Sequence, residues 1–264
     1  MEYKPTRQYL EAYERGLEVF AQPTAEAIGA LADQLASRKE LTLVSLARAG
    51  IPIGILVKQY LRWKYGRDVP HYAISIIRGR GIDKNAMDYI LYRHSRESVV
   101  FLDGWTGKGA ILRQLREALL DYPGVSAELA VAADPANMTE LCGTHEDILI
   151  PSSCLNCTVS GLISRTFLRD DIIGPGDFHG AAYYGELAGE DKSYEFIEAI
   201  EAHFLRENRP PDPIGRKNGL EQALELGREY GVADVNLIKP GIGETTRVLL
   251  RRMPWRVLLD PSAK

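Results

Sequence analysis

The stretch Val99-Val-Phe-Leu-Asp-Gly-Trp-Thr-Gly-Lys-Gly-Ala110 decides the fold. Its first half is apolar on successive residues, the pattern of a strand covered on both faces, and its second half is a glycine-rich turn opening into the helical pattern AILRQLREALLDY. Upstream, LTLVSLA (41–47) runs through a glycine into the helical IPIGILVKQYLRWKYG, and HYAISII (71–77) runs into a charged, glycine-containing loop. Downstream, AELAVAAD (127–134) and DILIP (147–151) predict two further short strands. Runs covered on both faces that alternate with helices predict an α/β fold, a parallel sheet flanked by helices. Ahead of it, Ala25, Ile28, Leu31, Ala32 and Leu35 recur at helical spacing.

Beyond about residue 165 the strand rhythm is lost. SYEFIEAIEAHFLRE and GLEQALELGREYG predict helices separated by Asn208-Arg-Pro-Pro-Asp-Pro213, whose prolines bar helix continuation, and WRVLL (255–259) predicts a short final strand. The expected organisation is an α/β domain over 1–165 and a mostly helical region over 166–264 that packs on the site or completes it.

Composition narrows the function classes. With 264 residues, 45% of them hydrophobic, the chain can bury a sizeable core without disulfides or metals. A formal charge of −4 argues against wholesale nucleic-acid binding, which needs a basic surface. No apolar run reaches membrane length, and MEYKPTRQYLEAYERG has no apolar signal core, so no membrane partner and a cytoplasmic location are expected. Three cysteines fit reduced thiols or a metal site better than a disulfide frame.

Ligands of open parallel sheets gather beyond the carboxyl ends of the strands. Those ends are Arg48-Ala49-Gly50, the loop 78–88, Asp103 to Ala110, and Asp134. In the Asp103 loop, Gly104, Gly107 and Gly109 let backbone amides approach a phosphate, Thr106 and Lys108 add donors, and the helix starting at Ala110 adds its dipole. Asp103 would accept from a ribose hydroxyl or hold the water shell of Mg2+. The same glycines could serve only close packing at a strand-to-helix turn. The loop RGRGIDKNAMD (78–88) offers Arg78 and Lys84 as groups that neutralise a departing anion, or is a solvated connector.

Cys142, His145, Cys154 and Cys157 form C-x2-H-x8-C-x2-C, a spacing that can close a structural Zn2+ site, or are core thiols with a loop histidine. A cysteine nucleophile would pair Cys154 or Cys157 with His145 or His179 and show a depressed thiol pKa. Ser152, Ser153 and Cys154, with Asp177 and His179, are candidates for reading a second substrate, although serine also caps helices.

VVFLDGWTGKGA resembles the sugar-phosphate motif of type I phosphoribosyltransferases, with Asp103 as the first acid and Gly104 where a second is expected. LVSLARAGIPIG resembles the pyrophosphate loop of that superfamily. More narrowly, SLARAGIPIG, SIIRGRGID, FLDGWTGKGAI, EDILIPSSCLNCTVSGLISRT, DFHGAAYYGEL and KPGIGETTRVLLRR are similar to a phosphoribosyltransferase-like family of bacterial stress and tellurite-resistance operons, whose members also carry the label StiP, a cysteine protease. The resemblance implies a type I phosphoribosyltransferase fold and an enzyme that moves ribose 5-phosphate between phosphoribosyl pyrophosphate and a base-like acceptor, with Mg2+ as cofactor. It assigns pyrophosphate to Arg48, Ala49 and Gly50, ribose phosphate to Asp103, Gly104, Thr106, Gly107, Lys108, Gly109 and Ala110, and catalysis to Arg48, Arg78, Lys84 and Asp103. A homodimer fits the same picture. Alternative expectations are an impaired nucleotide-sensing module and the cysteine protease. Some members of the family continue into an RNA-binding pelota-like domain; the chain ends soon after Trp255-Arg256-Val257, so none is expected here.

Overall fold

The structure is a computed structural model and describes residues 2–213, 219–249 and 252–261. Helix α1 (Arg7–Ala36) begins where the Thr6 hydroxyl accepts from the Tyr9 amide, and it carries Pro23 within its length. Then come β1 (Thr42–Ala47), α2 (Gly50–Tyr65), β2 (His71–Ile77), the two-residue β3 (Gly81–Ile82), α3 (Lys84–Arg93), β4 (Val99–Trp105), α4 (Ala110–Ala118), β5 (Leu129–Ala133) and β6 (Cys142–Thr144). Among the described residues three α-helices follow, α5 (Ser193–Glu201), α6 (Gly219–Glu229) and α7 (Gly241–Leu249).

The six strands make one sheet in the order β3-β2-β1-β4-β5-β6. Pairings among β2, β1, β4, β5 and β6 are parallel, and only β3 runs antiparallel to its neighbour. Strand alternation splits the core into two layers. Leu43, Val100, Leu102 and Ala130 face α1, α2 and α5, whereas Val44, Val99, Phe101 and Val131 face α3 and α4. Because both faces are covered, apolar residues occupy consecutive positions in these strands, with Thr42 and Ser45 as buried polar exceptions in β1, and they read as continuous runs. Phe196 and Ile200 of α5 lie fully buried in the first layer, so the chain beyond 165 contributes to the sheet's own core.

Between β1 and β4 the chain switches from one half of the sheet to the other, which opens a crevice at their carboxyl ends. Gly50 starts α2 at that point; a Cβ there would overlap the Leu102 carbonyl oxygen, so only glycine lets the helix start this close to β4.

Two expected strands are corrected. DILIP is not a strand: Ile150 leads into a single 3-10 turn, Pro151–Cys154. The edge strand is instead Cys142–Thr144, paired as Val131↔Cys142 and Ala133↔Thr144. Gly143 makes this possible, since a Cβ there would overlap the Ala27 carbonyl of α1 and the Ala132 carbonyl of β5. WRVLL forms no strand either. Among the described residues no helix is long and apolar enough to cross a membrane.

Candidate functional site

Asp134 follows β5, and Cys142 and His145 stand at the start of β6 and just beyond its end. Parallel pairing of β5 with β6 carries the three into one cluster, whose ligand-type atoms all lie within 4.8 Å of one another. The Cys142 Sγ is 3.5 Å from His145 Nε2, and His145 Nδ1 is 3.2 Å from Asp134 Oδ2. A carboxylate facing Nδ1 favours the tautomer with the proton there, while the thiol lies beside the ring, 3.5 Å from Nε2 and 3.8 Å from Nδ1. Asp134 is itself immobilised. Its carboxylate accepts from the Thr106 hydroxyl and from the amides of Met138 (2.8 Å) and Thr139 (3.1 Å). A fully buried carboxylate needs such donors, and burial still raises its pKa.

The thiols do not show the depressed pKa expected of a stored thiolate. Burial raises all three, with Cys142 pushed up to about 12 by burial and by the charge of Asp134. At pH 8 the thiolate fraction of Cys142 should lie on the order of a thousand times below that of an ordinary thiol. Iodoacetamide is therefore expected to leave the three cysteines of the native protein unlabelled over a period that labels all three in denaturant; mass spectrometry of both samples reads the result. Rapid native labelling of any of the three would contradict the burial assigned to it.

The other candidates lie apart from this cluster. Cys154 is buried against α1, and Cys157 lies near Arg48 and Glu2. Among the described residues no hydrogen bond joins either thiol to a histidine, and the cluster of metal-ligand type takes Cys142 and His145 with Asp134 in place of Cys154 and Cys157. His179 reaches Ser75 through Nδ1 (2.8 Å) and donates its amide to Asp83, while Asp177 accepts from the Gly174 amide. Ser152, Ser153 and Cys154 share the turn Pro151–Cys154.

Around the loop read as a phosphate cradle, the groups are already engaged. Arg48, 7% exposed in its side chain, pairs with Glu2 at 2.8 Å and donates to the Ile163 carbonyl. The peptide linking Ala47 to Arg48, just before Ala49 and Gly50, is cis. Lys84 pairs with Asp121 at the surface, and Thr106 is turned inward to Asp134. Helix α7 packs over the loop. Both oxygens of Asp147 accept from the Ile242 amide, the Glu244 carboxylate lies against Gly107, and Arg247 stands over the Trp105 ring at 5.5 Å. The crevice thus carries a carboxylate at the place where an incoming phosphate was expected.

Asp103 remains in this crevice as a half-buried carboxyl. It accepts from the Gly104 amide, and burial raises its pKa from 3.8 to about 6 against the pull of Arg247. A folded-state pKa above the unfolded one gives stability that is full below about 3.8 and lost as the pH rises through about 6. Asp103→Asn keeps the shape and the acceptor without the charge. At pH 7 it should stabilise the fold by about 2–3 kcal/mol, and at pH 4 it should change little. Urea unfolding at the two pH values checks this; equal midpoints for variant and wild type at pH 7 would refute the raised pKa.

The parallel sheet, the carboxyl-end location and the ordered thiol, imidazole and carboxylate define an α/β protein with a buried Cys-His-Asp constellation. The family model described as "Tellurite-like stress resistance cysteine protease StiP" matches residues 1–201, and the chain belongs to that family. Its relative "Cysteine protease StiP" from Acinetobacter baylyi is 36% identical over 280 aligned positions, which cover 98% of this chain and 73% of the relative. A second model, "PELOTA RNA binding domain", matches residues 217–264, so the expectation that no pelota-like segment is present is corrected.

The transferase expectation is corrected as well. The family model and the relative name a cysteine protease, whereas phosphoribosyl transfer and its donor find no support in either. The expected link to stress and tellurite resistance fits the family description.

Proposed function

We propose that the chain is a thiol hydrolase that cleaves peptide bonds, with Cys142 as nucleophile, His145 as its base and Asp134 as the group that orients the imidazole. The observation that carries this is the Cys142 thiol beside the His145 ring, 3.5 Å from Nε2 and 3.8 Å from Nδ1, while Nδ1 faces a buried carboxylate. With the thiol held neutral at rest, its proton passes to Nε2 only as the sulfur attacks the peptide carbonyl. The imidazolium then protonates the leaving amine as the C–N bond breaks, which leaves a thioester on Cys142. Water, deprotonated by the same nitrogen, hydrolyses the thioester and restores the thiol. Cys142 is fully buried, so a substrate reaches it only after the chain covering it moves.

Hydrolysis of fluorescently labelled casein, with and without a chelator, tests this reading. Peptide release that chelation leaves intact and that His145→Ala abolishes is expected. A second reading is favoured by the closeness of the three ligand-type atoms, within 4.8 Å: a divalent metal held by Asp134, Cys142 and His145. Metal recovered in stoichiometric amount from the purified protein, with release lost on chelation, would favour it over the thiol nucleophile.

The same proposal takes the sheet and its Gly104–Ala110 loop to be a type I phosphoribosyltransferase-like scaffold turned to other chemistry, supported by the strand order and the resemblance of that loop.

A further inference from the structure

Helix α7 meets the carboxyl edge of the sheet through glycine. A Cβ on Gly243 would stand 2.6 Å from Trp105 Nε1, so only a bare backbone seats the helix against that ring. A Cβ on Gly219, at the start of α6, would overlap the Pro135 carbonyl oxygen, and Asp147 accepts from the Ile242 amide at 2.9 and 3.0 Å. These footholds flank the thiol cluster. Trp105 pairs with Ala133, the residue before Asp134; Pro135 is the residue after it; Asp147 lies two residues past His145.

Little side-chain burial holds the segment there. Among the described residues α6 buries none and α7 only Gly243, while Leu226, Leu237 and Leu249 stay exposed. What fastens it is polar: the Asp147 cap on α7, the Lys108 ammonium on the Val235 carbonyl at 3.1 Å, and Arg247 over Trp105. An element with few buried apolar contacts opens at a lower free energy than the core beneath it. The chain that leads to it is fixed by contrast. Asn208 Nδ2 donates to Asp33 at 3.1 Å and to the hydroxyl of the fully buried Tyr60, which itself donates to the Leu205 carbonyl at 2.6 Å. From 209 to 213 the chain holds neither helix nor strand.

We propose that α7 is a reversible lid, anchored through Asn208, that closes the crevice at the carboxyl ends of β4 and β5 and lifts to admit substrate beside Asp134 and His145. Its role in substrate entry rests on the thiol-hydrolase reading; its opening does not. The lid supplies the motion that a buried Cys142 requires, and its weak seat on Trp105 sets how often the crevice is open.

Gly243→Ala separates docking from helix stability, because the two predict opposite signs. Alanine favours the helix over glycine, but its Cβ meets the Trp105 ring. A nine-residue helix is marginal alone in water, so its amides exchange when it lifts. Hydrogen exchange of the full chain, read by mass spectrometry, should show the amides of residues 244–249 exchanging at least about tenfold faster in the variant, with β1 and β4 unchanged. Slower or equal exchange in α7, or acceleration spread to β1 and β4, would overturn the lid. A second variant holds it shut. A Cβ at position 107 would meet the Glu244 side chain, so Gly107→Cys with Glu244→Cys places two thiols within bridging reach; dissolved oxygen oxidises them to a disulfide and is reduced to water. The bridged form is expected to slow casein hydrolysis at least about tenfold, with recovery on reduction, while wild type treated alike keeps its rate. An active wild type with an equally active bridged form would overturn gating. No hydrolysis by wild type would instead sink the hydrolase reading, and the exchange result would still decide the lid.

Discussion

Cys142→Ala should lower peptide hydrolysis by at least about a thousandfold, because removing the sulfur removes the only bond-forming atom in the proposed sequence. His145→Ala should fall to a similar floor, and the double variant should be no worse than either single one, as expected of groups that act as a unit. Cys154→Ala and Cys157→Ala should retain activity, since neither thiol has a histidine partner among the described residues. Initial rates on labelled casein, with unfolding curves to verify that each variant is folded, decide the matter. Full activity in Cys142→Ala together with loss in Cys154→Ala would move the nucleophile to the turn Pro151–Cys154 and leave the Cys142 cluster a structural one.

Asp134→Ala should fail twice. Asp134 is the hub of the β5 end, where its carboxylate takes the Met138 and Thr139 amides, the Thr106 hydroxyl and the His145 ring. Truncation strands buried donors, each costing about 1–3 kcal/mol, so a total loss of about 3–5 kcal/mol is expected once some rearrangement is allowed. Hydrolysis should drop by at least about 100-fold in the fraction that remains folded, because the imidazole loses the acceptor that fixes its tautomer. Denaturant unfolding gives the first quantity, and rates measured well below the unfolding midpoint give the second. A stability change under 1 kcal/mol would show that the donors find water or new partners. A rate unchanged from wild type would show that His145 needs no orienting group.

Much of this was open to reading in the sequence. Strands β1, β2, β4 and β5 were legible because each is rich in apolar and β-branched residues, and α2 because it opens at Gly50, where only a bare backbone fits against Leu102. β6 was not legible. Cys142-Gly143-Thr144 is three residues long and centred on glycine, while Asp147-Ile-Leu-Ile-Pro151 nearby has the stronger strand composition but folds into the approach to a 3-10 turn. Misplacing that edge hid the site, since it is the register of β6 on β5 that brings Cys142 and His145 to Asp134.

The C-x2-H spacing of Cys142 and His145 was visible, and Asp134 was marked as a strand end. Nothing in the sequence joined them, because the contact is made by sheet pairing. The pairing of Arg48 with Glu2, and the carboxylate of Glu244 against Gly107, join positions 46 and 137 residues apart and carry no local signal. Both change the chemistry of loops whose local sequence reads as anion-binding. A motif reports what its backbone can hold; the side chains that arrive from elsewhere decide what it does hold.

If Cys142 is the nucleophile, an acyl-enzyme forms on it and can be caught directly. Wild-type protein mixed with excess of an activated peptide ester, quenched in acid within one turnover and digested, is analysed by mass spectrometry for the acyl group. A thioester on the peptide that contains Cys142, absent in His145→Ala, is the expected result. An acyl group on Cys154 or Cys157, or turnover with no acylated cysteine at any time point, would contradict it.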